Sequence, residues 1–131
     1  MDFDIFLSIA QTPVQGHTPD EDTMFSNFFD QLRAADQLGF GTAWVAQAHL
    51  STEVQKRNKN PVIPHWEGEV GLCTDFFQLA HLMFAKTRNI HVGSAVLSLL
   101  IQGGPDATAE KVGAFLALHG LDKKEQRKLR I

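Results

Sequence analysis

Polar residues stand directly after two short apolar segments of the sequence. Gln47 and His49 follow residues 42–46, and Gln11 follows residues 3–9. A histidine can act as an acid or a base near neutral pH, whereas a glutamine only exchanges hydrogen bonds. We therefore treat His49 as a candidate catalytic residue, and Gln11 and Gln47 as candidate substrate contacts. The alternatives are a capping role for His49, an internal hydrogen bond for Gln47 and a bond to loop backbone for Gln11.

The remaining histidines do not form a metal-binding pattern. No pair of them has the H-x-x-x-H spacing of a helical metal site, and no cluster of carboxylates completes a ligand set. We expect His81 to be a packed or surface residue of a helix. His119 is expected in the last turn of a helix, where its charge suits the helix dipole. The sequence predicts no metal site.

Composition and charge exclude several classes of partner. The 131 residues fit one domain, and the formal net charge of −3 gives no basic field for nucleic acid. The segment DKKEQRKLR is basic, but it includes Asp122 and Glu125, so we expect it to be a solvated helix end. No apolar run approaches the length of a membrane span. A single cysteine fits a reducing compartment, and we expect a soluble cytoplasmic protein without nucleic-acid or membrane partners.

The spacing of apolar residues predicts that strands and helices alternate. Residues 3–9 read FDIFLSI, which suits a strand buried on both faces. Thr18 and Glu21 match a capping box for a first helix, and Gly39 stands where its C-terminal cap belongs. Residues 42–46 are typical of a second strand that runs parallel to the first.

Two more units with the same order follow later in the chain. Asp75 can cap a second helix that is apolar on most sides, so we expect that helix to be buried or to lie at a subunit interface. Residues 90–100 begin as a third strand. Pro105 opens a third helix, which Gly120 caps and after which Leu121 is placed for a Schellman contact. The expected inner face of this helix comprises Ala109, Val112, Phe115 and Leu116.

The order of these elements predicts the fold class. Strand and helix alternate three times, and residues 129–131 look like the start of a fourth strand, which indicates an α/β protein with parallel strands. No G-x-G-x-x-G follows a predicted strand, so a dinucleotide-binding fold has little support. We predict the N-terminal portion of a TIM-like (β/α)8 barrel, with about three of its βα units. Residues 1–131 would form a single, incomplete barrel domain.

Three stretches of the chain resemble the bacterial luciferase-like family of flavin-dependent monooxygenases and oxidoreductases. They are FDIFLSIAQTP, LGFGTAWVAQAHL and TRNIHVGSAVL. The second is similar to the family pattern L-G-F-D-x-x-W followed by E-H-H, and the third is similar to T-x-x-I-x-V-G-T-A-x. Their order and spacing agree with the family over nearly the whole chain. The resemblance implies an (α/β) barrel that is usually dimeric.

The resemblance also implies a cofactor and a place for it. Reduced FMN or a deazaflavin would bind at the C-terminal ends of the strands and act on a small organic substrate. Ser94, Ala95 and Val96 match the family segment whose backbone kink, often a cis peptide, packs behind the flavin ring. His49 matches the last histidine of the E-H-H triplet, and Gln47 matches its glutamate.

The triplet also departs from the family. Gln47 cannot ionise, and Ala48 replaces the middle histidine that is credited with proton transfer in luciferases. This departure argues against luciferase chemistry more than against flavin binding. The alternative is a non-catalytic flavoprotein-like or dimer-partner subunit. It would form a homodimer through the apolar second helix.

Overall fold

Helices and strands alternate along the chain. A computed structural model describes residues 3–9, 11, 15–46 and 75–131. In chain order the elements are β1 (Ile5–Ser8), α1 (Glu21–Leu38), β2 (Thr42–Ala46), α2 (Phe76–Lys86), β3 (His91–Ser94), α3 (Pro105–His119) and β4 (Leu129–Arg130). The predicted α/β alternation is confirmed, and β2 has the predicted bounds.

The four strands form one parallel sheet in the order β1-β2-β3-β4. Ala43 in β2 pairs with Ile5 on one side and with Val92 on the other, and Val92 pairs in turn with Leu129. Sequential parallel strands joined by helices are the building plan of a (β/α) barrel. The fold is therefore the N-terminal portion of a TIM-like barrel, and its sheet does not close.

The sheet is buried on its helix-covered face. Leu7, Val45 and Val92 on that face are at most 3% exposed, whereas Phe6 on the opposite face is 65% exposed. The expectation that β1 is buried on both faces was wrong, because the described helices cover only one of them. The core on the covered face consists of Leu7, Ile9, Met24, Phe28, Phe29, Leu32, Ala35, Ala43, Val45, Phe76, Phe77, Leu79, Ala80, Met83, Phe84, Ile90, Val92 and Phe115.

Helix α1 begins two residues later than the capping pattern suggests. Asp20 is its N-cap, and the Asp20 side chain accepts a hydrogen bond of 2.8 Å from the backbone N–H of Thr23. The prediction that Thr18 caps the helix was wrong, because a competing carboxylate lies nearer to the first free N–H groups. At the other end, Gly39 adopts φ +81° as the C-terminal cap, as predicted.

Helix α2 is capped as predicted and is buried within the chain. The Asp75 carboxylate accepts hydrogen bonds from the backbone N–H groups of Phe77 (3.0 Å) and Gln78 (3.2 Å). The helix packs against α1, α3 and β3. Its buried residues are Phe76, Phe77, Leu79, Ala80, Met83 and Phe84. The expectation of burial is confirmed, and the exposed remainder of the helix includes Leu82.

Helix α3 confirms part of its predicted inner face. Pro105 opens it as expected, but its buried residues are Thr108 and Phe115, while Leu116 is 54% exposed. The helix approaches α2 through Phe115 and His119, whose ring centroids lie 6.2 Å and 4.4 Å from that of Phe84. Val112 packs against the core as expected, whereas Ala109 and Leu116 are exposed and the prediction was wrong for them. Gly120 does cap the helix, with φ −76°. Leu121 is 74% exposed, so the expected Schellman contact is absent.

The segment before β4 is held by a partly buried arginine. Arg127 donates hydrogen bonds to Thr87 Oγ1 (2.9 Å) and to the Phe84 carbonyl oxygen (3.1 Å), and it pairs with Glu125. The guanidinium also lies 4.9 Å from the ring centroid of Phe84. Hydrogen bonding to Arg127 outweighs desolvation and lowers the pKa of Glu125 to about 2. The expectation of a fully solvated segment was therefore wrong for Arg127, which ties β4 to the end of α2.

Within the part of the chain that the structure describes, no helix has the length and apolar character needed to cross a membrane.

Candidate functional site

The C-terminal ends of the first three strands lie at one edge of the sheet. The backbone N–H of Ile9 donates to the Ala46 carbonyl oxygen (3.2 Å), and the N–H of Ala95 donates to the Val45 carbonyl oxygen (2.9 Å). These bonds continue the strand pairing past the last residues of β1 and β3. Residues that follow the strands therefore start from a common edge, which is where barrel enzymes place their sites.

Ser94 ends β3 with an unpaired hydroxyl group. The residue pairs with Val45, on the helix-covered face, and is 8% exposed. Among the described residues, Ser94 Oγ is the one buried side-chain oxygen or nitrogen atom without a hydrogen-bond partner. A buried hydroxyl left without a partner costs about 1–3 kcal/mol. A bound water or a ligand can supply the missing partner of such an atom.

The opposite face of the sheet is shaped by one tryptophan and one glycine. A Cβ atom on Gly93 would lie 2.4 Å from Trp44 Cε3, so the indole ring occupies the space that a side chain on β3 would fill. Trp44 Nε1 donates to Asp4 Oδ2 (2.8 Å), and the backbone N–H of Thr42 donates to Asp4 Oδ1 (2.9 Å). The hydrogen bond from Trp44 is the main reason that the pKa of Asp4 is lowered. The ring is therefore fixed across β2 and β3.

The residues just after β3 are small and accessible. Ala95 is exposed and Val96 is 52% exposed. The regular strand ends at Ser94, and the chain bends at Ala95. The described residues contain no cis peptide bond. The backbone at Ala95 and Val96 is therefore accessible, and contact of Ser94, Ala95 and Val96 with a flavin stays a prediction.

The side chain of Gln11 forms a hydrogen bond with the backbone of the loop before α1. Its side-chain amide Nε2 donates a hydrogen bond of 2.9 Å to the carbonyl oxygen of Pro19. This contact is the alternative that we gave for Gln11 from the sequence. It fixes the start of the connection to α1, and contact of Gln11 with a substrate stays a prediction.

Gln47, Ala48 and His49 lie outside the described residues. The structure thus places Ser94, Ala95 and Val96 at the end of β3 and Gln11 beyond the end of β1, with β2 between these strands. The catalytic prediction for His49 and the substrate prediction for Gln47 stay predictions.

A comparison with known protein families finds a match that includes the three strands of the candidate site. A family described as luciferase-like monooxygenase matches residues 1–115 of the chain. The chain belongs to the luciferase-like monooxygenase family. No curated protein matches the sequence. The family's kind of function is flavin-dependent oxidation and reduction, and its match covers β1, β2, β3 and most of α3.

The described part of this luciferase-like chain contains no cluster of metal-binding side chains. No group of three histidine, cysteine or acidic residues that could hold an ion occurs among residues 3–9, 11, 15–46 and 75–131. His81 stacks on Phe115 with ring centroids 4.3 Å apart, which confirms that it is a packed residue. His119 lies in the last turn of α3, as predicted.

Two residues that shape this luciferase-like sheet were missed from the sequence. We did not single out Asp4 or Trp44, although together they fix the surface next to Gly93. A signal was present, because a large aromatic residue on one strand needs a small partner on the next. Recognising it requires the register between β2 and β3, which the sequence does not specify.

Proposed function

We propose that this chain forms part of a flavin-dependent monooxygenase or oxidoreductase that uses reduced FMN or a deazaflavin on a small organic substrate. The observation that carries the proposal is the match of the luciferase-like monooxygenase family over residues 1–115. The proposed location is the cytoplasm, in keeping with the single cysteine.

The end of β3 suits one side of a flavin ring. Ala95 and Val96 are exposed, so their backbone can lie against a flat ring without a bulky side chain between them. Ser94 directly precedes them, and because its side chain is buried on the helix-covered face, it would contribute through its backbone. When bound, the flavin would supply oxygen activation or hydride transfer.

The other proposed roles belong to residues that follow β1 and β2. His49 would hold or pass a proton next to the substrate, because imidazole titrates near neutral pH. Gln47 would hydrogen-bond to the substrate from the position where the family has a glutamate. Gln11 would contact the substrate while its amide nitrogen donates a hydrogen bond to the Pro19 carbonyl oxygen.

Flavin titration of the protein tests this proposal. We expect FMN or a deazaflavin to bind, in the reduced or the oxidised state, with a change in flavin fluorescence or absorbance. Ala95→Leu places a bulky side chain against the ring and should weaken binding about tenfold or more. Ala117→Leu, on the exposed side of α3, is the matched control and should leave the affinity unchanged. Absence of binding for both flavins in both oxidation states would remove the proposal.

A non-catalytic dimer partner is the second candidate, and Ala48 in place of the middle histidine favours it. The surface available to a homodimer on α2 is a groove of about 410 Å³ between α1 and α2. The groove is lined by Phe25, Phe29, Gln78, Leu79 and Leu82. Leu82 is 44% exposed there, so a second copy could bury it against its own equivalent residues.

Sedimentation velocity checks the proposed homodimer. We expect a dimer that Leu82→Lys dissociates, because the substitution puts a charge into an apolar contact. Leu116→Lys, on the exposed side of α3, should leave the dimer intact. A monomeric wild-type protein contradicts the dimer proposal. A steady-state assay with reduced flavin and oxygen then separates the candidates, since a partner subunit binds flavin without turnover.

A further inference from the structure

Two histidine side chains hold the backbone at the start of β4. His91 Nδ1 lies 2.9 Å from the backbone nitrogen of Lys128. His119 Nε2 lies 2.9 Å from the carbonyl oxygen of the preceding residue, Arg127. The carbonyl group of Arg127 and the N–H group of Lys128, just before β4, are thus each hydrogen-bonded to an imidazole, one from α3 and one from β3.

The two bonds require opposite states of the imidazole nitrogen. A backbone N–H can only donate, so His91 Nδ1 must carry no proton and must accept the hydrogen bond from Lys128. A carbonyl oxygen can only accept, so His119 Nε2 must carry the proton that it donates to Arg127. Protonation of His119 preserves its bond. Protonation of His91 places an N–H group against another N–H group and breaks the bond.

The bond made by His91 belongs to the pairing of β3 with β4. The backbone N–H of Val92 donates to the Lys128 carbonyl oxygen (3.1 Å), while the Lys128 N–H donates to the imidazole of His91. The imidazole therefore takes the place that a backbone carbonyl holds in an ordinary ladder. Beyond it, β4 pairs with β3 only at Leu129 and Arg130 in the described chain. With so few rungs, the side-chain bond is a large share of the pairing between β3 and β4.

The charged groups around His91 favour its neutral form. Arg127, Lys128 and Arg130 face it from β4 and the preceding residues, and Asp4 faces it from the start of β1. Desolvation contributes most to lowering the pKa of His91, and the three cations lower it further, while Asp4 raises it. Since the net pKa is below the ordinary 6.5, the folded state disfavours protonation. The stabilisation is complete above about pH 6.5 and is lost as the pH falls through the folded-state value.

We propose that His91 is a pH-sensitive latch, which holds the start of β4 on β3 when its imidazole is neutral and releases it when the imidazole is protonated. The latch lies at the N-terminal end of β3, whereas the proposed flavin contacts follow the C-terminal end of that strand. Its action is therefore separate from the proposed function. It changes the attachment of an edge strand rather than the surface next to Ala95.

Amide hydrogen exchange at Lys128, followed by NMR, tests the latch without any cofactor. After correction for the intrinsic pH dependence of exchange, we expect the protection of this amide to fall roughly fivefold once the pH has been lowered from about 7.5 through the folded-state pKa of His91. The amide of Ala95, bonded to the Val45 carbonyl oxygen, is the internal control and should keep its protection. Unchanged protection at Lys128 would overturn the proposal.

Three variants separate the latch from a general effect of acid. His91→Asn keeps an acceptor at the Nδ1 position, so protection should stay high and no longer depend on pH. His91→Phe removes the acceptor, so protection should be low at every pH. His119→Gln is the matched control and should retain the pH dependence of the wild type. The proposal fails if His91→Asn responds to acid as the wild type does.

A measurement on the wild type alone guards against variants that do not fold. The ¹⁵N chemical shifts of the His91 ring should report an unprotonated Nδ1 and a protonated Nε2 at about pH 7.5. A proton on Nδ1 under these conditions would overturn the proposal, since the hydrogen bond from Lys128 could not then exist.

Discussion

Phe115→Ala should lower the free energy of unfolding by about 3–5 kcal/mol. Phe115 is 2% exposed and is the large buried side chain that joins α3 to α2. Its ring centroid lies 4.3 Å from that of His81, 6.1 Å from that of Phe77 and 6.2 Å from that of Phe84. Truncation removes these contacts and leaves a cavity between the helices. Urea unfolding followed by circular dichroism measures the change.

The neighbouring leucine provides the control for this prediction. Leu116→Ala removes a side chain of similar apolar character that is 54% exposed. It should lower the free energy of unfolding by less than about 1 kcal/mol. Equal losses for the two variants would contradict the observed orientation of α3. A larger loss for Leu116→Ala would mean that Leu116, and not Phe115, faces α2.

Asp36→Ala should lower the free energy of unfolding by about 3 kcal/mol. The Asp36 carboxylate is 8% exposed and accepts three backbone hydrogen bonds from the turn before β3. The donors are Arg88 (2.9 Å), Asn89 (2.7 Å) and Ile90 (2.8 Å). The substitution leaves these N–H groups without their acceptor, one of them at the fully buried Ile90. Urea unfolding near neutral pH measures the loss.

The pH dependence of Asp36 gives this prediction a second readout. Desolvation raises the pKa of Asp36, but the three backbone hydrogen bonds outweigh it and bring the pKa below the ordinary value of 3.8. Its stabilisation is therefore present above pH 3.8 and is lost as the pH falls through the folded-state pKa. The difference between wild type and Asp36→Ala should shrink in acid.

A second aspartate on α1 serves as the control. Asp30→Ala removes an exposed carboxylate whose partner is Arg33, one turn along the helix. Exposed pairs of this kind contribute about 0–1 kcal/mol, so this variant should unfold close to the wild type. Equal losses of unfolding free energy for Asp30→Ala and Asp36→Ala would show that the three backbone hydrogen bonds of Asp36 do not stabilise the fold.

Local patterns predicted most elements, because their signals lie in adjacent residues. The bounds of β2, the cap at Asp75 and the left-handed Gly39 could each be predicted from a few neighbouring positions. Burial was harder to predict. Phe6 and Leu116 are apolar and periodic, yet both are exposed. Their environment depends on which face of the sheet or helix is covered, and that is decided by distant parts of the chain.

The candidate site shows the same division between local and distant signals. Ser94, Ala95 and Val96 were identified from a contiguous motif, and the structure places them at the end of β3. The hydrogen bond between Asp4 and Trp44 spans 40 positions. No sequence window reports such a bond. Unpaired hydroxyl groups, such as Ser94 Oγ, can also be identified only from the positions of the surrounding atoms.

The parallel sheet has a consequence for the rate at which this chain folds. Each strand pairs with its neighbour only after an entire helix has been traversed, and Asp36 reaches amide groups 52 to 54 positions further on. The described strands include no hairpin that could serve as a local nucleus, so chain entropy must be lost before the first rung of their ladders forms. Folding should therefore be slow for a chain of this length. Contacts that form late, such as those of Asp36, should mainly determine how slowly the native state unfolds.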